Sequence, residues 1–537
     1  MSRVRYKSSV LVRGFLLASA AAIASVSASA QTSPQAPLPA ITVDAPQQQR
    51  AVAARPPQRS GARAARVSRL TNPAAAPVVS DQARGPALTV LTVQQALRDI
   101  QNTPGGVAIV PAEAYRNSTV ANTIKDVLDY VPGVFAQPKW GDDSRLSIRG
   151  SGLSRNFHLR GVQLYMDGIP INTADGYGDF QKIDPTAYKY VAVYKGANAL
   201  QFGANSLGGA INFVTATGRD PFPNGVSADM GAFGFKRLQA NAGGANGPWD
   251  GFVTASTQAS GGFRDHSNGQ ATRVSGNVGY QFSPDVETRF YLNANEVRQR
   301  IPGTVTKASA LTSPETAAAA NVLNDWQRNL DTVRIANKTT IRFDNTIVDV
   351  GAFAVNRHLM HPIFQWLDYN YKDYGGFVKV TDDRFIGGFR NRLVAGVNVV
   401  NGNIDNQQFA NISGQKGALL SSSTDRSKNT FFYVEDSFYF LPNVAAVGGT
   451  QFLYATRNRQ DRFLSDGDAS GATEFNLWSP KAGLLWNIDP TWRPSPTSRG
   501  APRCRALAKA RAGREYRSFP SPASARRSPP PMRSEPA

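Results

Sequence analysis

Ala271-Thr272-Arg273-Val274-Ser275-Gly276-Asn277-Val278-Gly279-Tyr280-Gln281-Phe282 is the stretch on which the reading of this chain turns. Successive side chains of an extended backbone point to opposite faces, so Thr272, Val274, Val278, Tyr280 and Phe282 share one side and Arg273, Ser275, Asn277 and Gln281 the other. The split returns in 286–295, where Val286, Phe290, Leu292 and Ala294 oppose Glu287, Arg289, Asn293 and Asn295. It returns again in 333–343, with Val333, Ile335, Ile341 and Phe343 against Arg334, Lys338 and Arg342, and near the end at Trp478, Ala482, Leu484, Trp486 and Ile488. Segments of about ten residues, apolar on one side and polar on the other with aromatic residues near their ends, suit a membrane-spanning barrel. A soluble sandwich alternates too. The succession separates the two: about a dozen such segments between 225 and 490 are joined by short turns such as Ser283-Pro284-Asp285 and by long polar loops at 300–331, 358–372 and 403–427. Unequal connections of this kind belong to outer-membrane barrels.

Upstream, from about 105 to 217, the texture is mixed α/β. Ser118 or Thr119 is placed to cap a helix carrying Ile124, Val127, Leu128 and Val131, which ends before Pro132-Gly133. Short strands follow at Arg145 to Arg149, Gln163 to Met166 with a turn at Asp167-Gly168, Tyr190 to Lys195, and Ala210 to Thr215. Residues 31–104 precede this unit. Their first 60 are rich in Pro, Ala, Gln and Arg and nearly free of aromatic residues, which predicts a disordered tether unable to offset its ordering entropy by burial. One apolar island, Ile41-Thr42-Val43-Asp44-Ala45-Pro46, interrupts it and could add as a strand to a partner's sheet edge. At the N-terminus, Arg3, Arg5, Lys7 and Arg13 precede an apolar run from Phe15 to Val26 and the small residues Ala28-Ser29-Ala30, the pattern of a signal peptide cleaved at 30. That run is short of the ~20 residues a spanning helix needs.

The net charge of +20 would suggest a nucleic-acid binder if it were concentrated on a folded face. It is not. Residues 1–90 hold 11 Lys/Arg against Asp44 and Asp81, and residues 491–537 hold 11 against Glu515 and Glu535. The middle of the chain is therefore close to neutral, and no nucleic-acid partner is expected. The single cysteine, Cys504, excludes a disulfide framework and a cysteine metal site. No Ser/His/Asp, paired-carboxylate or metal-spaced constellation stands out, so no catalytic residue is expected.

In order, these pieces resemble the TonB-dependent outer-membrane receptors. Ile41 to Pro46 resembles the TonB box. Asn122-Thr123-Ile124-Lys125-Asp126-Val127-Leu128 with Val131-Pro132-Gly133-Val134 is similar to the entry of the family's plug, Leu146-Ser147-Ile148-Arg149-Gly150 to its I-R-G strand, and Met166-Asp167-Gly168-Ile169-Pro170 to its D-G-I-P turn. Val191-Ala192-Val193-Tyr194-Lys195-Gly196, Gln201-Phe202-Gly203 and Gly208-Gly209-Ala210-Ile211-Asn212-Phe213-Val214 resemble its closing segment. The resemblance implies an α+β plug at 105–220 followed by an antiparallel transmembrane β-barrel over 221–490. It implies no cofactor and three partners: TonB with its inner-membrane energising complex, a ferric chelate such as a siderophore or ferric citrate, and outer-membrane lipid. It also implies that Arg149 and a second basic residue, here Lys195 where Arg is commoner, hold the plug to barrel glutamates, with Glu435 as one candidate and a solvated lumen carboxylate as the plainer reading of that residue. Ligand contacts are expected from polar plug loops facing outward, at Arg155, Asn156 and His158 and at Asp175, Tyr177 and Asp179. His358 and His361, flanking Met360, lack the paired second site that haem ligation would need and read as bystanders.

From about Trp492 the chain departs from that pattern. Nine prolines fall between Pro494 and Pro536, alternation ceases, and no strand is expected in the basic tail 491–537. About a dozen strands is little more than half of the roughly 22 in the family's barrel. A shifted reading frame or a mis-called end is the expectation from this break, with a non-transporting remnant as the alternative to an importer.

Overall fold

The computed structural model of the chain describes residues 85–499, apart from 117–120, 139, 152–158, 160, 204–207, 222–223 and 489–493. The signal peptide, Ile41 to Pro46, Arg155, Asn156, His158 and the tail from 500 lie outside the described residues. Ordered backbone begins well before 104, the expected end of the tether. Helix α1 (Val93–Asp99) starts at a capping box in which Thr92 Oγ1 accepts from the Gln95 N–H and Gln95 Oε1 accepts from the Thr92 N–H. Two otherwise orphaned donors are thereby satisfied.

The plug follows as β1 (Val107–Pro111), α2 (Ala112–Arg116), α3 (Ile124–Leu128), β2 (Val134–Pro138), β3 (Ser144–Ile148), β4 (Val162–Met166), β5 (Ile169–Pro170), β6 (Tyr188–Lys195) and β7 (Gly209–Thr215). Five strands form one sheet in the order β1-β6-β7-β4-β5, with β4 parallel to β7, while β2 and β3 pair separately. Helix α3 is capped by Thr123, whose side chain and that of Asp126 exchange bonds with the first turn, and not by Ser118 or Thr119. Its apolar face, Ile124, Val127 and Leu128, packs with Ile148, Leu164, Val191, Ile211 and Phe213 in the plug core. Fully burying a side chain of this size stabilises by roughly 1.5–3 kcal/mol.

The remainder is an antiparallel meander of thirteen strands, each paired with the next. They are β8 (Gly225–Gly231), β9 (Phe235–Asn246), β10 (Trp249–Ser260), β11 (Gly269–Ser283), β12 (Val286–Gln299), β13 (Asn329–Phe343) and β14 (Thr346–Pro362). The others are β15 (Gln365–Ile386), β16 (Phe389–Ile412), β17 (Gln415–Leu441), β18 (Val444–Asp461), β19 (Gly471–Trp486) and β20 (Thr497–Arg499). Burial runs opposite to that of a water-soluble sheet. On β11, Arg273, Ser275, Asn277 and Gln281 are buried while Phe282 is 63% exposed, and on β12 Glu287 and Arg289 are 0% exposed while Phe290 is 61% exposed. Polar residues face the plug and apolar residues face outward, an arrangement stable only where the outer solvent is hydrocarbon. Phe290→Arg is accordingly expected to cost about 2–4 kcal/mol of barrel stability in lipid near the bilayer midplane. Urea unfolding in vesicles measures it, and a loss within 0.5 kcal/mol of Phe290→Leu, on the order of ordinary surface substitutions, would place this face in water.

Two expectations are corrected here. Residues 358–372 and 403–427 are not loops: they belong to the hairpins β14–β15 and β16–β17, turned by Ile363-Phe364 and Ser413-Gly414. Strands of 22, 24 and 27 residues exceed the ~9–11 that cross a bilayer, and beyond that depth pairing no longer requires an apolar face. Asn401 to Gln408 pair continuously without alternating. The expectation of no strand after 491 also fails, because the proline-free triplet Thr497–Arg499 pairs with Lys481 to Gly483.

Candidate functional site

Buried charge fastens the plug to the sheet near both rims. Toward the rim that carries the long connection 300–328, the plug turn Gly176-Tyr177-Gly178 delivers Asp179, 1% exposed, between two arginines of the wall. The turn is held by the Gly178 N–H donating to Leu159 O at 3.0 Å. Arg328, just before β13, donates through Nη2 to Asp179 Oδ2 at 2.8 Å and to Tyr177 OH at 2.9 Å. Arg357 on β14 reaches the same Oδ2 through Nη1 at 3.4 Å and lies between the rings of Tyr371, 4.1 Å from its guanidinium carbon, and Tyr177, 5.3 Å away. Burial alone would raise the Asp179 pKa, but the charges of Arg328 and Arg357 outweigh it and hold this carboxyl well below the usual range. Two guanidiniums share one carboxylate. Nε and Nη2 of Arg357 are buried without a hydrogen-bond partner among the described residues.

Tyr177 and Asp179 are therefore not outward-facing loop residues, as the sequence suggested, but the inner half of a plug–wall contact. Their partners lie 149 to 178 residues downstream, beyond the reach of local pattern. Asp175 accepts a hydrogen bond from Thr173 Oγ1 at 2.5 Å within its own turn. Around this cluster the wall grips the plug repeatedly. Arg273 pairs with Asp142, the Ser256 hydroxyl donates to Asp184, Asn277 Nδ2 donates to Ala216 O at 2.8 Å, and Asn429 Nδ2 donates to Ala174 O at 2.8 Å. Gly203, at φ +86°, leaves no room for a Cβ, which would lie 2.5 Å from the Phe431 ring of β17.

At the rim of short turns a second cluster forms one row across the sheet. The register aligns Asp250 of β10, Gly279 of β11, Arg289 of β12 and Lys338 of β13. Arg289 donates to both oxygens of Asp250 at 2.8 Å and to Glu287 Oε1 at 2.8 Å. A Cβ on Gly279 would meet that guanidinium at 2.3 Å, so glycine is required for it to cross. The Leu88 N–H donates to Glu287 Oε2 at 2.7 Å, Thr89 Oγ1 donates to Glu287 Oε1 at 2.5 Å and accepts from Arg289 Nε at 2.9 Å, and Lys338 Nζ donates to Thr89 O at 2.6 Å.

The expected lock is not assembled from the three residues named for it. Glu435 accepts from Lys481 Nζ of β19 at 2.5 Å and so belongs to the wall alone. Register places Lys481 beside Gly449, which itself pairs with Glu435, and a nearby cation decides the contact. Arg149 and Lys195 converge inside the plug on Gly106, and Lys195 Nζ donates to Pro132 O at 2.6 Å. Burial and then the neighbouring Arg149 push the Lys195 ammonium below its ordinary range. His358 lies on β14 against Asp368 at 2.8 Å, and His361 Nδ1 is 2.5 Å from Gln327 O. Among the described residues no group of three or more His, Cys, Asp or Glu could hold a metal.

Residues 99–210 match the family model described as TonB-dependent Receptor Plug Domain. The chain is 26% identical over 178 residues to a Vitamin B12 transporter BtuB of Photobacterium profundum, which covers 32% of this chain and 28% of that protein. It is 29% identical over 181 residues to a Hemin receptor of Yersinia pestis, covering 31% and 25%. The matched segment thus spans about a quarter of the length of these relatives. Among solved structures, the ferric citrate transporter FecA in its unliganded form superposes with a TM-score of 0.68 at 16% identity, covering 80% of this chain and 68% of that one. At that identity the likeness is one of fold.

Proposed function

We propose that this chain is a TonB-dependent receptor, a transporter and not an enzyme, as the plug-domain match of residues 99–210 and the fold support, and that it imports an anionic chelated nutrient, a ferric siderophore or ferric citrate, across the outer membrane. The observation that carries this reading is Arg357. A buried guanidinium with two nitrogens, Nε and Nη2, that have no hydrogen-bond partner among the described residues, beside a second arginine and a single shared carboxylate, is short of negative charge. A ligand carboxylate arriving there supplies the missing acceptor and competes with Asp179 for Arg357. Ligand occupancy and plug fastening are then linked, because whatever weakens one contact strengthens the other.

The rest of the reading is built from sequence and fold together. Ile41 to Pro46 is the strand offered to TonB, and export depends on the signal at 1–30. Outer-membrane lipid covers the apolar face of the sheet. Arg149 and Lys195 form the plug's half of a lock whose acceptors are carboxylates other than Glu435. Arg155, Asn156 and His158 are further contacts for the ligand.

Arg357→Gln tests the ligand class. Binding of ferric citrate to the purified protein is expected to weaken about 10- to 100-fold, or about 1.4–2.8 kcal/mol, while a neutral ferric hydroxamate is affected less than threefold, on the order of 0.6 kcal/mol. Isothermal titration of both chelates checks it, and equal losses would remove the anion reading.

A further inference from the structure

One peptide unit of the plug is seated by consecutive strands of the wall. Ala174, 4% exposed, donates its N–H to Asp373 Oδ1 of β15 at 2.9 Å and accepts at its carbonyl from Asn429 Nδ2 of β17 at 2.8 Å. Arg457 of β18 holds that amide in place, donating through Nη2 to Asn429 Oδ1 at 2.7 Å. Register puts Asp373, Gly402, Ser427 and Arg457 in one row across β15 to β18, and Asn429 follows Ser427 by two residues on the same face. The middle strand, β16, supplies space. A Cβ on Gly402 would lie 2.1 Å from Asp373 Oδ1 and 2.8 Å from the Ala174 methyl, so glycine there lets the wall close on the plug backbone.

The chain from this seat to Asp179 is short and internally tied. The Thr173 N–H donates to Tyr177 O at 2.9 Å, the Gly176 N–H to Thr173 O at 2.7 Å and the Tyr177 N–H to Thr173 Oγ1 at 3.2 Å, so residues 173–177 move as one piece. Pinned at Ala174, that piece delivers Asp179 to a fixed place. The place is unequal: Asp179 Oδ2 lies 2.8 Å from Arg328 Nη2 but 3.4 Å from Arg357 Nη1, beyond the usual limit of about 3.2 Å for an N–H···O bond. We infer, on the reading that the chain imports an anionic chelate, that Asn429 is a positioning residue of the anion site: with Asp373 it seats Ala174, holds Asp179 short of Arg357 and keeps that guanidinium open to a ligand carboxylate. Asn429 does this from outside the site, since its side chain is spent on Ala174 O, Val400 O and Arg457. Without the seat, nothing opposes the attraction between the Asp179 carboxylate and the Arg357 guanidinium, and the two close.

In Asn429→Ala, affinity of the purified protein for ferric citrate is expected to fall about tenfold, the scale of one hydrogen bond between charged groups gained by the competing Asp179. A neutral ferric hydroxamate should change less than about threefold. Isothermal titration reads both. Made on Arg357→Gln, the same substitution should shift ferric citrate affinity by no more than about twofold, because the group through which Asn429 acts is gone. A merely structural role would lower affinity in both backgrounds. Gly402→Ala, which crowds Ala174 from β16, is expected to reproduce the loss and stands in if Asn429→Ala does not fold. Unchanged or tighter ferric citrate binding, or a loss that persists on Arg357→Gln, overturns the inference. If Arg357→Gln weakens both chelates equally, the import reading falls and this inference with it; if it separates them and Asn429→Ala does not, only the role of Asn429 falls.

Discussion

Asp179→Ala is expected to loosen the plug from the wall by about 3–5 kcal/mol, the scale found when one member of a buried charge cluster is removed and its partners are left uncompensated. Arg328 and Arg357 are 5% and 1% exposed. Without Asp179, Arg328 retains neutral acceptors at Tyr177 OH and the Gln181 side chain, and Arg357 retains the Tyr371 hydroxyl and ring contacts, none of them charged. Asp179→Asn should recover little, because the amide offers one acceptor where two cations shared a charge and turns two N–H donors toward guanidiniums. The pH dependence follows from the sign of the shift. The folded-state pKa of Asp179 is depressed, so its contribution is complete above the unfolded value of about 3.9 and is lost as pH falls from there toward the folded value. Hydrogen exchange of the plug amides, followed from pH 7 down into that acid range, should show wild-type protection falling where the Asp179→Ala protein, already less protected, loses nothing further from this site. Similar protection in both proteins at neutral pH would remove Asp179 as a fastening.

How much of this was legible in sequence depends on the range over which each contact acts. Strands were visible because alternation is local, and Arg273, Asn277, Val278 and Phe282 fall on the faces their spacing assigned. The plug strands and the Asp167-Gly168 turn were visible for the same reason, since residues with φ of +57° and +81° in a tight hairpin call for Asp and Gly. The segment of helix α1 is hard to see although Thr92 and Gln95 spell a capping box, because the proline- and alanine-rich stretch before it carries no apolar alternation to mark where it ends. The polar hairpins at 358–372 and 403–427 were missed for a physical reason: a strand that stands clear of the bilayer has no apolar face to betray it. Asp179 and Glu435 were misplaced because partner choice is a matter of register. Nothing near position 179 announces Arg328 or Arg357, and nothing near 435 announces Lys481. The I-R-G motif names Arg149, but its spacing holds no information about which carboxylate faces it.

Arg289→Met is expected to destabilise the wall by about 3–5 kcal/mol, and more in the strands β10 to β13 than elsewhere. Arg289 is 0% exposed and supplies Asp250, Glu287, Asn277 and Thr89 from one planar fork, through Nε, Nη1 and Nη2 together. Removing it leaves Glu287, also 0% exposed, facing only the Leu88 N–H and the Thr89 hydroxyl, while Asp250 falls back on Arg219 at 3.2 Å and the Gly218 N–H at 3.1 Å. Lysine cannot substitute. Its single ammonium would have to reach acceptors on both sides of Gly279, whose missing Cβ shapes a slot for a flat group, so Arg289→Lys should lose most of what methionine loses. The charge argument has its own control. In Arg289→Met/Glu287→Gln the orphaned carboxylate is gone, and the double variant should be more stable than Arg289→Met alone, a coupling of about 1 kcal/mol or more. Urea midpoints of the four proteins in lipid vesicles measure this cycle. A double variant whose loss equals the sum of the two single losses would mean that Arg289 fills space between the strands and does not neutralise Glu287.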